Sequence, residues 1–142
     1  MRNSFGIMQG RLSGPGSTPR QVFPWKDWQT EFELARRVGF QEIEWLFEAN
    51  DYQKNPLWTE NGRKEIRDVQ NKTGVAVKSV CAHYFVQKNS FKDIREGKKV
   101  LINLMEASSS SGINRIVFPL MEENDQDSSQ DIQEVTRFLE EP

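Results

Sequence analysis

Four side chains stand out for the chemistry their types and positions could support: Gln9, Arg11, Glu44 and His83. His83 is the chain's one histidine. An imidazole can ligate a metal, shuttle a proton or hydrogen-bond a hydroxyl. The plain alternative is a structural histidine that ties down the loop after it. Glu44, with Glu42, alternates with the apolar Ile43, Trp45 and Phe47. A carboxylate on that polar face could bind hydroxyls or help move a proton, because desolvation raises its pKa. An ion pair with Arg11 or Lys78 is the competing explanation. The Gln9 amide suits hydroxyls, and the Arg11 guanidinium suits phosphate or carboxylate through two parallel bonds. A salt bridge packed on the neighbouring loop explains Arg11 equally well. These four are expected to converge on one mouth as substrate-binding groups. No residue is assigned a catalytic role or a place in a metal shell.

The elements that must hold them are legible from a repeated junction. Three polar helical stretches each run into a glycine, and an apolar strand follows at once: at Gly39, Gly74 and Gly112. Glycine past a helix end adopts the left-handed conformation that stops the helix at little cost. The three lie 35 and 38 residues apart, about one strand–loop–helix unit. The pattern predicts strands near Phe5–Leu12, Glu42–Phe47, Val75–Tyr84 and Ile113–Leu120. It predicts helices from Asp27 (stripe Trp28, Phe32, Ala35, Val38), after a Thr59 cap (Ile66, Val69), over Phe91–Ser109 (Ile94, Leu101, Leu104, Met105) and from Ser128 (Ile132, Val135, Leu139). Helix-to-strand turns are minimal. The strand-to-helix loops are long, and in parallel α/β folds that end of the sheet carries the chemistry.

Those loops have their own candidates. Ser13–Lys26, with Gly14-Pro15-Gly16 and Arg20, could close over a ligand, but it lacks a phosphate-cradling glycine pattern. Phe23 and Trp25 could wall a pocket or staple the following helix to the core. Trp45 and Phe47 read as helix-packing residues. The acidic run Glu122–Asp127 reads as an exposed loop before a helix N-terminus.

With 142 residues, 36% hydrophobic and 28% charged, the chain has the composition of one globular domain. A formal charge of −2 gives no electrostatic case for nucleic acid or an anionic membrane. No apolar run approaches the roughly 20 residues of a membrane span. Met1–Ser4 leads into a strand without an apolar signal core. The single Cys81 has no disulfide partner, so the expected compartment is a reducing cytoplasm.

Four βα units fit either a complete doubly wound sheet or the first half of an eight-stranded barrel of about 250 residues. The polar alternation on strands two and three favours the barrel, since a sheet covered on both faces reads continuously apolar. The expected arrangement is sequential, 1-2-3-4, with helices on the outer face only.

Specific segments carry a resemblance over essentially the whole chain. Gly6–Leu12 (GIMQGRL), Phe23-Pro24-Trp25, Ile43-Glu44-Trp45, Asn55–Trp58, Ser79–Phe85 (SVCAHYF) and Arg115–Pro119 resemble the sugar-phosphate isomerase/epimerase branch of the xylose isomerase-like TIM barrels. The resemblance implies an α/β fold of parallel repeats, (βα)4, with residues 1–142 as the N-terminal half of a barrel and strands five to eight absent. It implies a divalent metal (Mn, Mg, Co or Zn) held by Glu, Asp, His and Glu of those later strands. His83 stands where close relatives are expected to carry an acidic residue, and no ligand transfers onto this sequence.

The implied function is the N-terminal part of a metal-dependent sugar or sugar-phosphate isomerase or epimerase, inactive as this piece alone. The alternative is a non-catalytic half-barrel that pairs with itself or another chain. Either way, partners are expected at the open strand edges: the C-terminal half or a second copy.

Overall fold

The computed structural model of the chain describes residues 4–13, 22–87, 94–119, 133 and 136–140. The Gly14-Pro15-Gly16 segment, Arg20, the acidic run 122–127, and Ile132 and Val135 lie outside the described residues. Four strands, β1 (Gly6–Met8), β2 (Glu42–Leu46), β3 (Ala76–Cys81) and β4 (Arg115–Val117), form one parallel sheet in the order β1-β2-β3-β4. Between them lie α1 (Trp28–Val38), α2 (Glu60–Thr73), a short α3 (His83–Gln87) and α4 (Ile94–Ser110). Two 3₁₀ turns, Tyr52–Lys54 and Pro56–Trp58, occupy the β2–α2 connection.

The junction glycines act as the repeat implies. Gly39, Gly74 and Gly112 have φ of 99°, 74° and 73°, and each amide donates back to the helix it ends. Thr59 caps α2, its hydroxyl oxygen accepting from the Gly62 amide at 3.1 Å. Strands start two or three residues after each glycine, so every helix exit feeds the amino end of the next strand.

The strands are shorter than their apolar runs. β1 stops at Met8 because Gly10, at φ 85°, turns the chain away. β3 stops at Cys81, and His83 opens α3 instead of ending a strand. A bulge shifts the β2–β3 register between Ile43 and Glu44, from Ile43 opposite Val77 to Glu44 opposite Ser79. Lys78 is the extra residue, and it is exposed.

The core lies on the Trp45 side of β2. Trp45, fully buried, meets Trp28 of α1 at 5.3 Å and Phe23 at 5.4 Å between ring centroids. Phe47 meets Tyr52, Trp58 and Tyr84. Asn55 joins these layers. Its Oδ1 accepts from Trp45 Nε1 (2.9 Å) and the Leu57 amide (3.1 Å), and its Nδ2 donates to the Leu46 carbonyl. In sequential order, right-handed crossovers place each connecting helix on the same side of the sheet. The opposite face presents Glu42 and Glu44, both half-buried.

Three expected core residues are exposed: Val38 (66%), Met105 (55%) and Leu139 (53%). Val38 is the last residue of α1, beyond the reach of the sheet. On α4 the buried stripe is Gly97, Val100, Leu104, Ala107 and Ser108, and Met105, one residue past Leu104, is turned about 100° away. In 136–140 the buried ring is Phe138, which meets Phe85.

Candidate functional site at the carboxyl edge of the sheet

The site begins where β1 ends. The Gln9 amide continues the ladder, donating to the Glu44 carbonyl at 3.0 Å. The Gln9 side chain is buried, and its Oε1 accepts from the Leu46 amide at 3.1 Å. That bond fixes the orientation of the carboxamide, since Leu46 N–H requires an acceptor. Gln9 Nε2 is then left buried without a partner among the described residues.

The next residues are held by a group that sequence reasoning passed over. Glu31, buried on α1, accepts from the backbone amides of Gly10, Leu12 and Ser13 and from the Ser13 hydroxyl, at 2.8–3.0 Å. One carboxylate thus satisfies a whole turn of backbone donors. The signal was present: Glu31 occupies an apolar-stripe position among Trp28, Phe32 and Ala35. Arg11, between the anchored amides of Gly10 and Leu12, is exposed and is not drawn to the other three expected residues.

Glu44 lies level with Met8 on β1 and Ser79 on β3, and Ser79 lies level with Arg115 on β4. Its Oε2 accepts from Ser79 Oγ at 2.8 Å. Had β2 and β3 kept an unbroken register, Lys78 would stand opposite Glu44. The bulge replaces that ion pair with a neutral hydroxyl. Cys81, two residues on, is buried, and burial first and the Glu44 charge second push its thiol up to about 11, opposed by the His83 backbone amide. Such a thiol is a packing group, not a nucleophile at neutral pH.

Beyond the strand ends a second pair forms. Leu46 lies level with Cys81, and two residues further along each chain stand Glu48 and His83. Their backbones are tied together, with Phe47 N donating to the Cys81 carbonyl (3.0 Å) and Tyr84 N to the Phe47 carbonyl (2.9 Å). Glu48 is buried and accepts from the Phe23 amide at 3.1 Å. Burial raises its pKa above the ordinary value, partly offset by the Phe23 bond and by His83. His83 Nδ1 is buried and lacks a partner among the described residues. Glu48 was missed in the sequence, although it continues the even-numbered face of Glu42, Glu44 and Leu46.

Of the expected residues, then, Glu44 is bonded to Ser79 and Gln9 to Leu46, and His83 lies near Glu48 without a hydrogen bond between them, all at the carboxyl edge. Phe23 and Trp25 are packed edge to face at 4.8 Å, and Phe23 is buried against Trp45, which makes it a staple. Among the described residues no three His, Cys, Asp or Glu side chains converge to hold a metal ion. Nor is any helix among them long and apolar enough to cross a membrane. A groove of about 470 Å³ opens elsewhere, between α2 and α4, lined by Trp58, Arg63, Asn103 and Glu106 among others. Arg63 there already donates to the Leu57 and Trp58 carbonyls.

Neither protein-family models nor curated protein sequences give a match to this chain.

Proposed function

We propose that this chain is the substrate-facing wall of a sugar or sugar-phosphate isomerase or epimerase, the (βα)4 half of a xylose isomerase-like TIM barrel. The observation that carries the reading is the gathering of Gln9, Glu44, Glu48 and His83 at the carboxyl ends of adjacent parallel strands. In this fold class that edge is where substrate binds. Carboxylate, carboxamide and imidazole groups are the side chains that recognise hydroxyls and move protons beside a carbonyl. Glu44, bridged to Ser79, orients a hydroxyl. Glu48, buried and with its pKa raised by desolvation, is suited to accepting a hydroxyl's hydrogen bond and to moving a proton. A divalent metal belongs to the proposal through the family resemblance alone; its ligands would come from further βα units.

The test is solvent-deuterium incorporation next to the carbonyl of ketoses and ketose phosphates, with the full gene product and Mn²⁺. Glu44→Gln and His83→Ala should each lower kcat/KM by about tenfold or more, with unchanged circular dichroism. Absence of exchange with every sugar would reject the reading. One observation favours a second reading, a non-catalytic half-barrel that pairs with another chain: among the described residues β1 and β4 each have one strand neighbour.

A further inference from the structure

We infer that Gln9, Glu48 and His83 form a subsite for adjacent hydroxyls of a neutral polyol, not for a phosphate. The inference deepens the sugar reading of this edge and rests on it.

Three observations converge. The first is that two of the three buried polar atoms without partners among the described residues, Gln9 Nε2 and His83 Nδ1, lie at this edge. Such atoms are uncommon in folded proteins and point to a ligand or water. Leu46 N–H holds Gln9 Oε1, so the open atom is a donor. The second is Glu48, which accepts from the Phe23 amide through Oε1 and follows Phe47, whose backbone is bonded to Cys81 and Tyr84 on either side of His83. The third is adjacency along the β1 side. A side chain on Gly10, next to Gln9, would meet the Val22 carbonyl, and Val22 precedes Phe23, whose amide binds Glu48. The three groups therefore border one place where the ends of β1, β2 and β3 meet.

Their chemistry selects the ligand. Gln9 Nε2 can only donate, a carboxylate only accepts, and a neutral imidazole nitrogen does either. A hydroxyl is donor and acceptor at once, so a vicinal diol satisfies all three. A phosphate offers mainly acceptor oxygens and would meet the carboxylates of Glu44 and Glu48. Among the described residues, the cations on these elements are placed to offset them poorly. Arg11 is exposed in the loop after β1, Lys78 is exposed in the β3 bulge, and Arg115 is exposed level with Ser79, four residues below His83.

Because His83 is the chain's one histidine, its imidazole Cε1–H gives a single NMR signal beside the proposed subsite. The experiment adds ribitol, and separately inorganic phosphate, to the chain and follows that signal. Ribitol should shift it saturably and phosphate should not. Glu48→Gln, which keeps an acceptor for Phe23, should weaken ribitol by about tenfold, as expected for losing a hydrogen bond to a charged group. A shift with phosphate of equal or greater affinity, or no shift with ribitol, overturns the inference. Ribitol has no carbonyl, so its binding is independent of turnover. Ribitol binding without deuterium exchange in any sugar keeps the subsite and rejects the isomerase. Exchange with a His83 signal that ribitol leaves unmoved does the reverse.

Discussion

Glu48 shows how burial turns one side chain into a test. Its pKa is raised first by desolvation, so the folded state binds its proton more tightly than the unfolded chain. A raised carboxyl contributes stability that is fully present below the unfolded value. That contribution is lost as pH rises through the folded one. Glu48→Gln removes the titration and keeps the acceptor for the Phe23 amide. The variant should therefore melt at or above wild type at neutral pH, with the difference shrinking as pH falls below the ordinary carboxylate range. Melting curves against pH would contradict this if the variant were the less stable at neutral pH. Glu31 is tested by its hydrogen bonds instead, since its buried carboxyl accepts from the amides of Gly10, Leu12 and Ser13. Glu31→Ala strands three amides and should cost on the order of 3 kcal/mol in denaturant unfolding. A cost under about 1 kcal/mol would mean water replaces the carboxylate. The sequence showed Glu44 and His83 through alternation along strands. The positions of Glu31 on an apolar stripe and Glu48 on the even-numbered face were visible, but their roles were not, because the backbone amides that donate to them lie far away in the chain.

At the scale of elements, helix ends were the most legible feature, because a C-cap glycine is a local requirement. Strand ends were the least. Phe5–Leu12 and Val75–Tyr84 read as continuous runs, yet ladders stop where a partner runs out or a turn intervenes, as at Gly10 and His83. The NPLW segment illustrates an element built by contacts across layers. Asn55 caps the 3₁₀ turn Pro56–Trp58 and binds Trp45, while Gly62 of α2 presses on the Pro56 backbone. Gly62→Ala would ordinarily gain about 1 kcal/mol from helix propensity. Here the added methyl would collide with the Pro56 carbonyl and Cα, backbone that cannot rotate aside. The clash should win, with a net loss of about 1–3 kcal/mol. A melting temperature equal to or above wild type would show that the turn shifts freely.

For the whole molecule, strand order 1-2-3-4 followed from repeat length and one-sided polarity, whereas closure into a barrel depends on strands that would lie beside β1 and β4. Among the described residues those two strands each offer one edge without a neighbour. Unpaired edges are templates for another chain. Phe5, 66% exposed just before β1, leaves an apolar side chain open to solvent at the amino end of one of them. A copy docking its β1 beside another's β4 makes a head-to-tail contact. Two such contacts close a ring of eight strands if the sheet curvature permits, and otherwise propagate. The expected outcome is concentration-dependent association of the 142-residue chain in sedimentation velocity. Phe5→Lys should weaken it by about tenfold, roughly 1.4 kcal/mol, because a lysine at an edge opposes pairing. The same exposed site should leave folding stability within about 0.5 kcal/mol of wild type, which separates an edge effect from unfolding. A chain that sediments as a monomer at every concentration would mean its edges are already covered, and the pairing idea would fall while the mouth at Glu48 and His83 stood unaffected.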